Sequence, residues 1–240
     1  MADIEILLKS TKTHPVFLSF PDLFTPKEYE NDGRKSYVRE ANFIIDEDHP
    51  QVDEIKAAIR KAIAEKWPAN APTIPVDRRP LRSGMTEDPD TGEKKARWDG
   101  YDGKLFVSAN RRCKADNLEA ALAEGNPIQL IDGIRGPDKK FIRLKESDGK
   151  LYAGARVNVM LRIYAYDGSR HNNPHRINAS IEVVQFAGHG EAFGAKPVDA
   201  DSVMDEVEGL MESDGFEEGS DAGASSQNQS SNQSPADDLL

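Results

Sequence analysis

Residues 155–166, ARVNVMLRIYAY, alternate without a break between two kinds of side chain. Successive residues of a strand point to opposite faces, so Ala155, Val157, Val159, Leu161, Ile163 and Ala165 share one face, a complete core set. The other face collects Arg156, Asn158, Met160, Arg162, Tyr164 and Tyr166. A chain carrying this segment must build a sheet that is dry on one side and presents cations and aromatic rings on the other.

Further segments repeat the two-residue period. VFLSF (16–20) places Val16, Leu18 and Phe20 on one face, and SYVREANFII (36–45) follows across the turn-prone NDGRK. KLFVSANRR (104–112) and IQLID (128–132) read as strands, with a short helix around NLEAALAEG between them. GARVNVMLRIYAYDG (154–168) and HRINASIEVVQF (175–186) form a hairpin-like pair across SRHNNP. HPQVDEIKAAIRKAIAEKW (49–67) changes period: Val52, Ile55, Ile59 and Ile63 fall on one helical stripe, with Asp48 placed to cap it and Pro68 to stop it. Successive strands with one early helix predict a mainly β, α+β or all-β barrel architecture, because a parallel sheet needs a helix between neighbouring strands.

Residues 68–103 have no apolar period and are rich in Pro, Gly and charge, the mark of a functional or disordered loop. Within this loop Arg78, Arg79, Arg82, Lys94, Lys95, Arg97, Trp98 and Tyr101 interleave cations with rings, and Lys104, Arg111, Arg112 and Lys114 continue the series. With Arg156, Arg162, Tyr164 and Tyr166 they make a candidate surface for single-stranded nucleic acid, cations meeting phosphates and flat rings meeting bases. Two readings stay open here: the tyrosines can instead cover a second small core under the loop, and the acids Glu87, Asp88, Asp90, Glu93, Asp99 and Asp102 fit a mixed-charge hairpin.

Net charge is −11, which argues against a polyanionic partner until its distribution is counted. Of the 42 acidic residues, twelve lie from Pro197 onward, where there is no Lys or Arg; the preceding residues carry 31 cations against 30 acids. A body of charge +1 is followed by a tail of −12. DADSVMDEVEGLM (199–211) sets Val203, Val207, Leu210 and Met211 on one helical side, and 213–240 is too polar to bury anything, so it is expected to be disordered. The single cysteine, Cys113, cannot pair within the chain, and no run is apolar enough for a membrane span or secretory signal, which points to a cytoplasmic setting. Five scattered histidines, His171 and His175 in a turn among them, offer no metal spacing, and no cofactor is implied. GHGEAFGAK (188–196) lacks the Gly-Lys-Ser/Thr ending of a phosphate-binding loop. Asp22 after Pro21, with Glu40, is the nearest approach to a metal-dependent nuclease, the alternative function, but Asn42 stands where that motif needs Lys.

Four blocks in order, HPVFLSFPDLFTPKE, SYVREANFIIDEDHPQVDEIKAAIRKAI, DGKLFVSANRR, and YAGARVNVMLRIYAYDG followed by INASIEVVQFAGHGEAFG, resemble bacteriophage single-stranded DNA-binding proteins of the oligonucleotide/oligosaccharide-binding (OB) fold. These belong to the group related to the replication protein of T7-like phages, and the resemblance spans roughly residues 14–212. It implies a five-stranded OB-fold barrel with an inserted helix over residues 1–198, a short helix at 199–212, and a disordered acidic tail at 213–240. It further implies a non-catalytic protein that coats single-stranded DNA in replication and recombination, a homodimer in the host cytoplasm. Its tail would compete with DNA as a tethered polyanion and recruit a polymerase, helicase or nuclease through Asp237, Asp238, Leu239 and Leu240. Such tips commonly end in Phe, and this one ends in Leu.

Overall fold

The computed structural model of the protein describes residues 4–31, 33–169 and 173–194. The expected helix at 199–212, the tail, and Asp237, Asp238, Leu239 and Leu240 lie outside the described residues.

The alternating segment is the centre of the architecture. It forms β10 (Arg156–Tyr166), whose residues Val157, Val159, Leu161 and Ile163 are all buried. It pairs antiparallel with β11 (Arg176–Gly188), as the hairpin pattern predicts. β2 (Phe17–Asn31) and β3 (Arg34–Asp46) form a long hairpin turned at Gly33, whose φ of 70° suits glycine. β3 continues antiparallel to β7 (Lys104–Arg112) through nine residue pairs, and β7 meets β11 in parallel at Asn110 and Ser180. The pairings then return to their start. Arg156 on β10 faces Phe17 on β2, and Leu18 N donates to Ala155 O at 2.8 Å. The strands β2, β3, β7, β11 and β10 thus close a ring of pairings around the apolar face.

The sheet extends beyond that ring on both sides. β1 (Ile4–Leu8) adds to the edge of β10, and β8 (Gln129–Arg135) with β9 (Phe141–Arg143) adds beyond β11. Among the described residues eleven strands are therefore present rather than five, nine of them in one sheet. Apart from β8, which the run IQLID announces, these extra strands arise where the sequence period is too short to read: β1 is the five-residue run IEILL, and β9 has three residues.

Helix α1 (Val52–Lys66) buries Val52, Ile55, Ala58, Ile59 and Ala62, and packs on β1, β10 and β11. Sealing Ile55 and Ile59 from water contributes about 1.5–3 kcal/mol each. The expected cap at Asp48 is not made. The helix begins after Gln51, whose side chain instead accepts from Lys9 N and donates to Leu7 O, both at 2.8 Å, tying the helix start to β1. The short helix α2 (Leu118–Ala123) is capped by Asn117, which accepts from Ala120 N at 2.8 Å.

The long loop is ordered and partly folds inward. After a 3-10 turn at Val76–Arg78 it lays β4 (Leu81–Ser83) on β7, then makes a small hairpin of β5 (Met85–Glu87) and β6 (Lys94–Ala96). Ile74 and Tyr101 are buried, so the absence of an apolar period concealed two anchors. Among the described residues no helix is long and apolar enough to cross a membrane.

Candidate nucleic-acid interface

On the outer face of β3 and β7, Ile44 and Phe106 are apolar side chains that need a cover. Tyr101 supplies it: the ring is fully buried against them and its hydroxyl accepts from Asn42 Nδ2 at 2.9 Å. Tyr101 was expected to meet a base; it is instead the support beneath Trp98, a correction that follows from that apolar gap. Trp98, three residues earlier, sits on this support with 46% of its surface exposed, its ring 5.1 Å from Tyr101. The turn is fixed by Tyr101 N donating to Trp98 O and by Gly194 N donating to Asp99 Oδ2 at 2.7 Å. Gly100, at φ 79°, lies where a Cβ would strike the Phe193 ring.

Phe20 completes the exposed surface. Alternation with Val16 and Leu18 predicts it inside, but its φ of 48° is a left-handed conformation that a bulky residue rarely adopts. The pairing of β2 with β3 slips between Ser19 and Asp22, and the slip turns Phe20 outward, 46% exposed, to an edge-on contact of 5.2 Å with Trp98. The available signal was Pro21, since proline inside a strand is confined to edges and bulges.

Arg82 lies over Phe106, the ring on which Trp98 rests. Its guanidinium is 5.0 Å from the centre of that ring, its buried Nε has no hydrogen-bond partner among the described residues, and Asp77 is the acid that acts on it. Burial pulls its pKa below the ordinary value, and Arg97 pushes the same way. Arg82 opens onto a polar groove of about 450 Å³ whose walls include Arg78, Arg79, Ser108, Asn110, Arg176 and Asn178, against one acid, Asp77. Arg176 has no place in the sequence reading because it falls at the end of a turn. Across the β10–β11 ladder Arg176 and Asn178 pair with Tyr166 and Tyr164, both half-buried and outside the groove's lining.

The remaining candidates divide. Arg79 donates through Nε and Nη2 to Ile74 O, which fixes its guanidinium at the groove. Arg97 donates to Ser83 O at 3.1 Å. Lys94 and Lys95 ride on the small hairpin, Lys95 paired with Asp88 at 2.9 Å, and Arg112 and Lys114 are exposed at the end of β7 and just beyond it. Four are held by partners elsewhere: Lys104 by Asp46, Arg111 and Arg162 together by Glu182, and Arg156 by His189 O at 2.9 Å. Asp22 and Glu40 do face each other across β2 and β3, but Glu40 accepts from Tyr29 and lies 3.6 Å from Lys27. One grouping was invisible in sequence. His14, Asp46 and Asp48 bring ligand atoms within 4.8 Å of one another, with the Lys104 ammonium already on Asp46.

The geometry is thus an exposed pair of rings leading into an arginine-walled groove on the outside of a closed circuit of strands. Comparison with known proteins gives the same region a lineage. The family described as "Enterobacter phage Enc34, ssDNA-binding protein" matches residues 9–214. Protein p50 of Acyrthosiphon pisum secondary endosymbiont phage 1 is 31% identical over 188 residues, covering 76% of this chain and 85% of that one. Among solved structures, the Enc34 single-stranded DNA-binding protein in complex with ssDNA superposes with a TM-score of 0.52 at 17% identity, over 80% of this chain and 100% of that one. A C-terminal truncation of the same phage protein gives 0.50 at 17% identity, over 79% and 98%. At that identity the structures speak for the fold alone, while the family match and the p50 relative decide membership: the chain belongs to the phage single-stranded DNA-binding protein family typified by that of Enterobacter phage Enc34.

Proposed function

We propose that the protein is a non-catalytic, sequence-tolerant binder that coats and protects single-stranded DNA during phage replication and recombination. The observation that carries this reading is the exposed Phe20–Trp98 pair, with Arg82 over the Phe106 ring on which Trp98 rests. Rings take bases by stacking, which is indifferent to sequence, and the arginine groove takes the phosphates between them. The closed circuit of β2, β3, β7, β11 and β10 supports an OB barrel over residues 1–198, to which β1, β8 and β9 are additions.

The acidic region supports a regulatory role in the same reading. A segment of charge −12 tethered to a body of +1 competes with DNA at high effective concentration, and DNA that displaces it exposes Asp237, Asp238, Leu239 and Leu240 to a replication protein. The active species is a homodimer in the host cytoplasm, with 199–212 as a short helix and 213–240 as the tail.

The test is fluorescence anisotropy of labelled oligothymidine with the full chain, in magnesium, followed by electrophoresis of the recovered strand. Saturable binding of intact DNA is expected, and magnesium-dependent cleavage would overturn the non-catalytic reading. Deleting 213–240 removes six acidic side chains and should tighten binding most at low salt, where the screening length is about 30 Å at 0.01 M. Equal or weaker affinity of the truncated chain would reject competition by the tail. Removing only Leu239 and Leu240 should leave DNA affinity unchanged and abolish partner recruitment.

A further inference from the structure

A second groove, of about 640 Å³, runs on the other side of β4, between that strand and α1. Its floor is aliphatic: Ile59, Ile63, Val76, Leu81 and Leu105, with Val76 60% exposed. Its rim carries Lys56, Arg60, Arg79 and Arg82 against one acid, Glu47. The third component is backbone. Gly84 N donates to Lys104 O and Ser108 N to Pro80 O, which fixes Arg82 and Phe106 as the hydrogen-bonded pair between them. In an antiparallel ladder the intervening residues then turn their N–H and C=O groups the other way. Ser83 O is taken by Arg97, while the N–H and C=O of Leu81 have no partner strand among the described residues.

A free strand edge beside an aliphatic trough with a cationic rim fits one kind of occupant. Single-stranded DNA would use the cations but leave the floor unanswered, because no aromatic ring lines it. An extended peptide uses all three features: backbone on the edge of β4, apolar side chains on the floor, and carboxylates alternating toward the rim. We propose that this groove docks an extended acidic and aliphatic segment of a partner protein as an added strand on β4. Because Arg79 and Arg82 wall both this groove and the arginine groove, peptide and DNA exclude one another; that half of the inference rests on the DNA-binding reading, and the docking itself does not.

The experiment uses the full chain and a fluorescein-labelled peptide that alternates glutamate with leucine. Replacing every glutamate of the peptide by lysine, or methylating its alternate backbone amides, should each weaken binding about tenfold or more. The Lys56→Gln/Arg60→Gln variant should also lose about tenfold for the peptide while holding oligothymidine within about twofold, since neither residue reaches the arginine groove. Oligothymidine should displace the peptide from the unaltered protein. Indifference to amide methylation or to the double substitution would overturn docking on β4. An equal loss of peptide and DNA affinity in that variant would make the groove part of the DNA path. Peptide that stays bound under saturating oligothymidine would refute the shared arginines and leave the docking site standing.

Discussion

Trp98→Ala isolates stacking from charge. Trp98 is 46% exposed and rests edge-on against Phe20, Tyr101 and Phe106, with ring centroids 5.2, 5.1 and 6.2 Å away. A base stacked on such a ring contributes about 1–3 kcal/mol, or roughly 5- to 160-fold in Kd. Phe20 survives the substitution and keeps half of the platform, so a loss of about tenfold is expected. No cation is removed, so the slope of log K against log salt should stay as it is. The edge contacts also stabilise the fold, by about 0.5–1.5 kcal/mol each, and urea unfolding must show that the variant is folded in the binding buffer. Trp98→Phe should recover part of the affinity. The measurement is anisotropy of labelled oligothymidine across a salt series. Affinity within about twofold of the parent, or a loss that appears as a changed slope, would refute the stacking assignment.

Arg82→Gln should flatten the salt slope by about 0.7, one phosphate contact, whereas Arg162→Gln should leave it unchanged because Glu182 and Glu5 already hold that guanidinium; equal effects in the same salt series would dissolve the distinction between them. His49 is 2% exposed, and burial pulls its pKa below the ordinary 6.5, so the unfolded chain takes up a proton more readily. Its contribution to stability is full above pH 6.5 and is lost as pH falls below that value, so urea titrations of His49→Gln should show a shallower decline on acidification than the parent. Gly154 has φ 106° and abuts the carbonyl of Glu191; Gly154→Ala should lower the melting temperature measured by circular dichroism, because the strain and the clash outweigh the roughly 1 kcal/mol that alanine contributes by reducing the entropy of the unfolded chain.

The half of the fold that was legible in the sequence is the half with one dry face. β10 could be read residue by residue because its apolar set is unbroken, and α1 because its stripe changes period cleanly. β2 was cut short at Phe20, since Pro21 and Pro26 interrupt the alternation that the strand nevertheless continues to Asn31. The site was legible in composition and not in placement. Trp98 and Tyr101 are both aromatic residues in one polar loop, and only the uncovered Ile44 and Phe106, on strands distant in sequence, decide which of them goes inside. The same holds for the cations. Nothing local to Arg111 or Arg162 announces Glu182, which lies on a third strand and holds both.

The net charge of −11 comes from the twelve acids after Pro197, and within the preceding residues, at +1, the cations are unevenly partnered. Lys104 with Asp46, Lys150 with Asp132, Lys35 with Glu28 and Lys95 with Asp88 cancel at short range, within 2.9 Å in each case. Charges that cancel over such distances project little field beyond the screening length, about 8 Å at physiological salt. Around the arginine groove the cancellation fails, since Arg78, Arg79, Arg82 and Arg176 face a single Asp77. A phosphate arriving there would meet four arginines against one acid. The charge balance of the groove therefore has the opposite sign to that of the chain.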